Sequence, residues 1–291
     1  MEVRNCDDTT KNPDRIPVAM TIAGSDSGGG AGVQADLRTF SALGVFGSSA
    51  ITAVTSQNPC AVSRVDSLSP DAVAEQIRSV LDIIDVRAVK TGMLHSAEII
   101  RTVADSLKQV QLPLVIDPVM ISTSGTKLMQ DDALESMMTA LLPLATWITP
   151  NIPEAELLSG MKIRSSNDIT IAAERIAARW NTGVILKGGH AENDRMAADV
   201  VCSGDLLCSL VTPRLSLPPH ATHGTGCTLS AAITAFLAKG EKPLQAIVSA
   251  KAFVLGSLAE ARMIGKGQPV AAMVPPAGLE NYKKQIMISR L

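Results

Sequence analysis

Aromatic side chains are scarce, with 4 Phe, 2 Trp and 1 Tyr among 291 residues. The base-stacking platforms of single-strand nucleic-acid binders could hardly be assembled from so few. An excess of one charge sign is also missing. The 26 Lys and Arg face 28 Asp and Glu, a formal net charge of −2, which offers no global basic field to nucleic acid or anionic lipid. The five cysteines, at 6, 60, 202, 208 and 227, contain no C-x-x-C pair. In a chain too large to need disulfides, a reducing cytoplasm is the simplest setting. No apolar run reaches the ~20 residues needed to span a bilayer. Even LQAIVSAKAFVLGSLAEA is interrupted by Lys251 and reads as a buried helix, so a soluble protein is expected. The opening MEVRNCDDTTKNPDRIP carries both charge signs before any apolar run, unlike a signal peptide.

What is present is the composition of a globular domain, 46% hydrophobic and 19% charged. Short β-branched or apolar runs alternate with longer segments of helical period, the pattern of a parallel sheet covered by helices on both faces. Strands are expected at residues 18–23, 50–54, 87–90, 114–117, 147–149 and 184–187, with helices at 33–43, 71–84, 97–110, 131–142 and 168–180. Two apolar runs around Ser-Gly-Asp within 198–210 read as a hairpin, an antiparallel addition at the sheet edge. A helix pair at 228–239 and 243–263 follows, with Gly240 stopping the first helix and Pro243 starting the second. The division expected is a solvated extension at 1–17, one domain at 18–270 and a loosely ordered tail at 271–291.

In an open parallel sheet the carboxyl ends of the strands face the ligand crevice. Gly24-Ser-Asp-Ser-Gly-Gly-Gly-Ala-Gly32 lies between the first strand and a helix carrying Gln34, Asp36 and Arg38. It matches neither G-x-x-x-x-G-K-[ST] nor G-x-G-x-x-G, yet it has more glycine and carboxylate than a turn requires. Thr222-His-Gly-Thr-Gly-Cys-Thr-Leu-Ser230 precedes a long apolar helix. The N–H groups of Gly224, Thr225, Gly226 and Cys227 are expected to converge there unpaired, a helix N-terminus suited to negative charge and to a phosphoryl group in transfer. A zinc reading of His220, His223 and Cys227 lacks a fourth ligand in register. Further signals stand at other strand ends: Lys90-Thr-Gly-Met93, Asp117-Pro-Val-Met120, Thr149-Pro-Asn-Ile-Pro-Glu154 and Lys187-Gly-Gly-His190.

Together with T-S-Q-N at 55–58, these segments resemble, in order, the hydroxymethylpyrimidine/phosphomethylpyrimidine kinases of thiamine synthesis, within the ribokinase-like superfamily. The resemblance runs from about Val18 to Met263. It implies a three-layer α/β/α sandwich, mostly parallel with an antiparallel edge, together with ATP, Mg2+ and two successive phosphorylations. The first acts on the hydroxymethyl group of 4-amino-5-hydroxymethyl-2-methylpyrimidine, and the second extends the monophosphate to the pyrophosphate. It implies Ala31, Asp36, Gln57, Met93, Val119 and Cys227 as substrate contacts, with Asp36 accepting from an exocyclic amine. Asp117 and Glu154 are implied near magnesium, and Lys187, Gly188, Gly189 and Asn151 on the nucleotide side. The resemblance also implies a homodimer.

Many ribokinase-like enzymes have an aspartate base where this chain has Cys227. A thiol whose pKa is lowered by the helix N-terminus could take that part, or could simply shape the pocket. Gly28 stands where similar kinases usually have serine, and 265–270 lacks one glycine of their G-K-G-x-G-P-V. A mobile flap is expected near the substrate, since exposed ATP would be hydrolysed. A pyridoxal or pyridoxine kinase of the same superfamily and a non-catalytic vitamin-binding protein are the alternative readings.

Overall fold

The structure is a computed structural model that describes residues 15–120, 132–188, 195–217, 220–266 and 270–291. Its central strand, β1 (Val18–Asp26), is buried almost throughout. Val18, Met20 and Ile22 join one apolar core and Ala19 the other, the two-residue period of a strand covered on both faces. The chain continues through α1 (Gly32–Ala42), β2 (Phe46–Asn58), β3 (Ala61–Ser67), α2 (Pro70–Leu81), β4 (Ala88–Thr91), α3 (Ala97–Leu107) and β5 (Leu114–Ile116). Next come α4 (Ala133–Ser136), running on as a π-turn and a 3-10 turn to Leu144, β6 (Trp147–Ile148), α5 (Ile152–Ser159), α6 (Ser166–Trp180) and β7 (Gly183–Lys187). The hairpin β8 (Met196–Ser203) and β9 (Leu206–Pro213) leads to α7 (Thr225–Ala238) and α8 (Pro243–Ala259). A small ladder of β10 (Arg262–Met263) and β11 (Ala271–Ala272), then α9 (Leu279–Lys283) and β12 (Met287–Arg290), complete it.

The main sheet has the order β12-β9-β8-β7-β6-β5-β4-β1-β2-β3. Strands β2, β1, β4, β5, β6 and β7 are parallel, while β3 on one side and β8, β9 and β12 on the other are antiparallel. Helices α2 to α6 supply the core on one face, and α1, α7 and α8 the core on the other. From β1 the chain steps to β2 on one side and then back to β4 on the other. This reversal opens a crevice beyond the carboxyl ends of β1 and β4, where ligands bind in such sheets.

Local chemistry sets the element ends. Ser69 caps α2 with Pro70 at its first position, Ser165 and Asp168 form a capping box on α6, and Pro243 opens α8. Several elements were not expected from the sequence. Asn151-Ile-Pro-Glu154, expected there only as a polar strand end, is the capping box that starts α5. The expected strand at 50–54 extends over 46–58 and turns back as β3. The helix expected to reach 263 stops at Ala259, and that expected at 131–142 begins outside the described residues. The segment 271–291 is also not a loose tail: α9 packs against α8, and β12 pairs with β9. Most of the 1–17 extension lies outside the described residues.

Candidate active site

Asp26, at the end of β1, organises the glycine loop. Its Oδ1 accepts the Gly28 N–H at 2.8 Å, and its Oδ2 accepts the Ala31 N–H at 2.8 Å and His223 Nε2 at 3.1 Å. Burial works against that charge, but the His223 bond and the two amides hold the Asp26 carboxyl below its usual range. The loop is thereby tied to the turn before α7. Gly30 packs against the His223 ring, and Gly224, at φ +81°, packs against the Gly30 carbonyl so closely that a Cβ there would overlap it.

Gly224 is the N-cap of α7, which has no side-chain cap. The Thr225 N–H donates to the Thr222 carbonyl at 3.2 Å, and the first helical bond runs from Thr228 to Gly224. The expectation of unpaired amides over 224–227 is therefore corrected at Thr225, whose donor is consumed by the turn. Gly226 and Cys227, in the first turn, keep N–H groups that the helix itself cannot satisfy. A Cβ on Gly226 would lie 3.3 Å from Lys187 Nζ and 3.6 Å from Asp117 Oδ2. The α7 N-terminus, with its dipole, thus lies beside the Lys187 ammonium and the Asp117 carboxylate.

Around it stand the ends of β5, β6 and β7. Lys187 Nζ donates to Asp117 Oδ1 at 3.0 Å, and Asp117 also receives the hydroxyls of Thr149 and Ser230 at 3.3 Å. Burial disfavours the Lys187 charge, yet Asp117 and Glu154 hold its pKa above the usual value. Asn151 and Glu154 cap one another, each accepting the other's N–H at 2.9 Å. Burial, reinforced by Asp117, pushes the Glu154 carboxyl up to about 7 despite Lys187 and the N–H groups of Asn151 and Met120. Asn151, Glu154, Lys187 and Gly226 line a cavity of about 710 Å3 whose apolar wall includes Leu229, Val254, Leu255 and Leu258. Gly188 follows Lys187, its N–H donating to Asp199 Oδ1 at 3.2 Å. Gly189 lies outside the described residues.

On the other side of the α7 N-terminus, Met93 and Val119 meet Ala53, Val62 and Val65 in a small apolar cluster separate from both cores. Gln57 is held at the end of β2: the Ser27 hydroxyl bridges its backbone, and its side-chain carbonyl accepts from Thr55 at 3.2 Å. Ala31 is the N-cap of α1, against the glycine loop. Asp36 lies deeper than the other residues expected to contact the substrate. Facing β1 and β4 from α1, it is fully buried, with Oδ2 accepting from Thr21 at 2.6 Å and Lys90 at 2.7 Å. Only Oδ1 is left without a partner. Burial disfavours charge on Lys90, but Asp36 at this distance keeps the ammonium protonated.

Cys227 is also corrected. Burial pushes its thiol up to about 11, with Lys90 opposing and Asp36 and Asp117 adding to the rise, so the helix N-terminus does not make it a thiolate at neutral pH. His223 is spent on Asp26, and His220 Nε2 lies 3.8 Å from Cys60 Sγ at the tip of the β2–β3 hairpin. The sequence reading assigned no pairing to Lys90, noted only within Lys90-Thr-Gly-Met93, or to Lys251, noted only as a charge in a buried helix, and it missed Asp199. The structure pairs Lys90 with Asp36 and Lys251 with Asp199, each at 2.7 Å. A signal for them existed, because a lone charge inside an apolar strand or helix must find an opposite partner when buried.

Sheet, crevice and anion-binding helix end define a small-molecule kinase of the ribokinase-like class. A family model described as phosphomethylpyrimidine kinase matches residues 26–271. The chain is 46% identical over 253 residues to the hydroxymethylpyrimidine/phosphomethylpyrimidine kinase of Synechococcus elongatus, covering 87% of this chain and 95% of that protein. Its Rhizobium meliloti counterpart is 44% identical over 252 residues, covering 86% and 94%. The structure of the pyridoxal kinase from Staphylococcus aureus in complex with AMP-PCP and pyridoxal superposes with a TM-score of 0.81 at 34% identity, covering 95% of this chain and 100% of that one. The chain belongs to the phosphomethylpyrimidine kinase family.

Proposed function

We propose that the protein transfers the γ-phosphoryl group of ATP to the hydroxymethyl group of 4-amino-5-hydroxymethyl-2-methylpyrimidine, and then a second phosphoryl group to the monophosphate. The observation that carries this reading is the start of α7, where the Gly226 Cα faces Lys187 and Asp117. It lies between an apolar cavity on one side and the Met93 and Val119 cluster on the other. Gly224 fixes this helix start, Thr225 closes its turn, and Gly226 and Cys227 donate to the transferring phosphoryl oxygens. Such positioning and electrostatics supply most of the acceleration in phosphoryl transfer.

The donor set suits magnesium, a hard cation commonly held by one or two carboxylates plus substrate phosphates. Asp117 and Glu154 would hold it, with Lys187 between them offsetting only one of their charges. When bound, the ion neutralises charge on the phosphates. Asn151, Lys187, Gly188 and Gly189 serve the nucleotide, while Ala31, Gln57, Met93 and Val119 serve the heterocycle. Asp36 offers it only the unpartnered Oδ1.

A thiol near 11 is neutral at working pH, so Cys227 acts as a relay rather than as a ready-made base. Sulfur takes the hydroxyl proton as its own proton passes to a phosphoryl oxygen. C227A is expected to lower kcat by about 100-fold or more, the lower range for lost proton-transfer catalysis. Between pH 6 and 9 the kcat of the wild type should lack the tenfold-per-unit rise that an obligatory thiolate would impose.

The direct test incubates the protein with ATP, Mg2+ and the hydroxymethylpyrimidine and separates mono- from pyrophosphate products by mass. Pyridoxal run in parallel distinguishes the vitamin-kinase alternative, and ligand binding without ADP release would overturn catalysis. The protein is read as a cytoplasmic homodimer, which light scattering near twice 30.5 kDa would support.

A further inference from the structure

We propose that Lys251 is a positioning residue of the phosphate pocket. By pairing with Asp199 it keeps that carboxylate away from Lys187, whose ammonium is thereby left to Asp117 and the nucleotide's phosphates. The inference rests on reading the 710 Å3 cavity as the nucleotide side, since Lys187, Asp199 and Lys251 all line it.

Lys187 on β7 and Asp199 on β8 are direct partners across an antiparallel ladder. Side chains in that relation leave the sheet on the same face, with Cβ atoms about 4.5–5.5 Å apart, and opposite charges there attract. Yet the two do not pair. Lys187 Nζ goes to Asp117 at 3.0 Å, and Asp199 Oδ2 receives Lys251 Nζ at 2.7 Å. Lys251, the one charged residue of α8, projects into this position. Its side chain is 9% exposed and that of Asp199 is 11% exposed, so either charge alone would be strongly under-compensated. Without the Lys251 ammonium, Asp199 turns to the cation directly across the ladder and competes with Asp117 for Lys187. Without the Asp199 charge as well, that competition disappears. In D199N the side-chain carbonyl can still accept the Gly188 N–H that Asp199 Oδ1 holds at 3.2 Å.

The test titrates ADP calorimetrically into wild type, K251M, D199N and the D199N/K251M double variant, with KM for ATP and for the acceptor measured alongside. K251M should weaken ADP binding and raise the KM for ATP about tenfold, within the range of couplings between neighbouring charged residues, and leave the acceptor KM unchanged. The double variant should recover to within about threefold of wild type, a return that a merely structural role for Lys251 would not produce. Should K251M not yield folded protein, K251Q must show the same pattern. Unaltered ADP affinity in the folded single variant, a double variant no tighter than the single, or a wild type that does not bind ADP overturns the inference. A wild type that binds ADP but phosphorylates no pyrimidine would instead sink the proposed function and leave this comparison intact.

Discussion

Single side chains set the sharpest constraints on the crevice. Gly224 combines a left-handed φ of +81° with a Cβ position already occupied by the Gly30 carbonyl. G224A must therefore strain the backbone and push the two loops apart. We expect a stability loss of about 2 kcal/mol or more, read by urea denaturation, and at least a tenfold fall in kcat/KM. Glu154 gives a pH signature. Its carboxyl, pushed up to about 7, holds a proton below that pH and is ionised above it. Magnesium should bind the free enzyme more tightly as pH rises from 6 to 8, and E154Q, which preserves the capping box, should flatten that dependence. The sign for stability is opposite. Unfolded, this carboxyl ionises near 4.5, so the folded state retains the proton longer and the contribution declines as pH rises from there toward 7. The Tm difference between wild type and E154Q in ligand-free protein should change across that window, and a constant difference would refute the assignment.

At the scale of elements, the central strands were legible because each is a short apolar run bounded by glycine or polar residues. Leu114–Ile116 and Gly183–Lys187 are examples. The β8–β9 hairpin was legible from Ser-Gly-Asp, where Gly204 adopts φ +55°. What escaped had mixed signals. β3 is mostly exposed, and its valines at 62 and 65 stand three apart with Ser63 and Arg64 between them, so no two-residue alternation marks a buried face. α5 hides behind Pro153, since proline early in a helix and proline in a turn look alike without the capping bond between Asn151 and Glu154. The motifs named Met93, Val119, Gln57 and Asp36 together but gave no sign of the depth of Asp36, because only the packing of α1 on β1 and β4 decides burial. β12 was invisible for the same reason: Met287–Arg290 is exposed and acquires its strand form from pairing with β9. Removing residues 287–291 should leave kcat and KM within twofold, because no residue of that segment lines the 710 Å3 cavity. It should lower Tm by roughly 2–4 °C, equivalent to about 1 kcal/mol in a domain of this size.

The whole molecule carries little net charge, so attraction for a polyphosphate has to be generated locally. On the proposed function, the α7 terminus, Lys187 and a bound cation would supply it while the global balance stays at −2. Nucleotide affinity should consequently respond to residues within one cavity rather than to surface charge. ADP with Mg2+ at a hundredfold excess over Kd should stabilise the fold by about 2.7 kcal/mol, a Tm rise of roughly 5–10 °C in a thermal melt. Absence of a shift would count against the cavity assignment.

Asp26 and His223 are 197 positions apart, and their contact joins the glycine loop to the anion-binding turn. Each loop borrows its shape from the other, so neither is finished until the last third of the polypeptide has been made. On the ribosome, a nascent chain halted before residue 220 would possess most of the parallel strands but no ability to retain ADP. Ligand capture is acquired late in synthesis, after the scaffold that presents it.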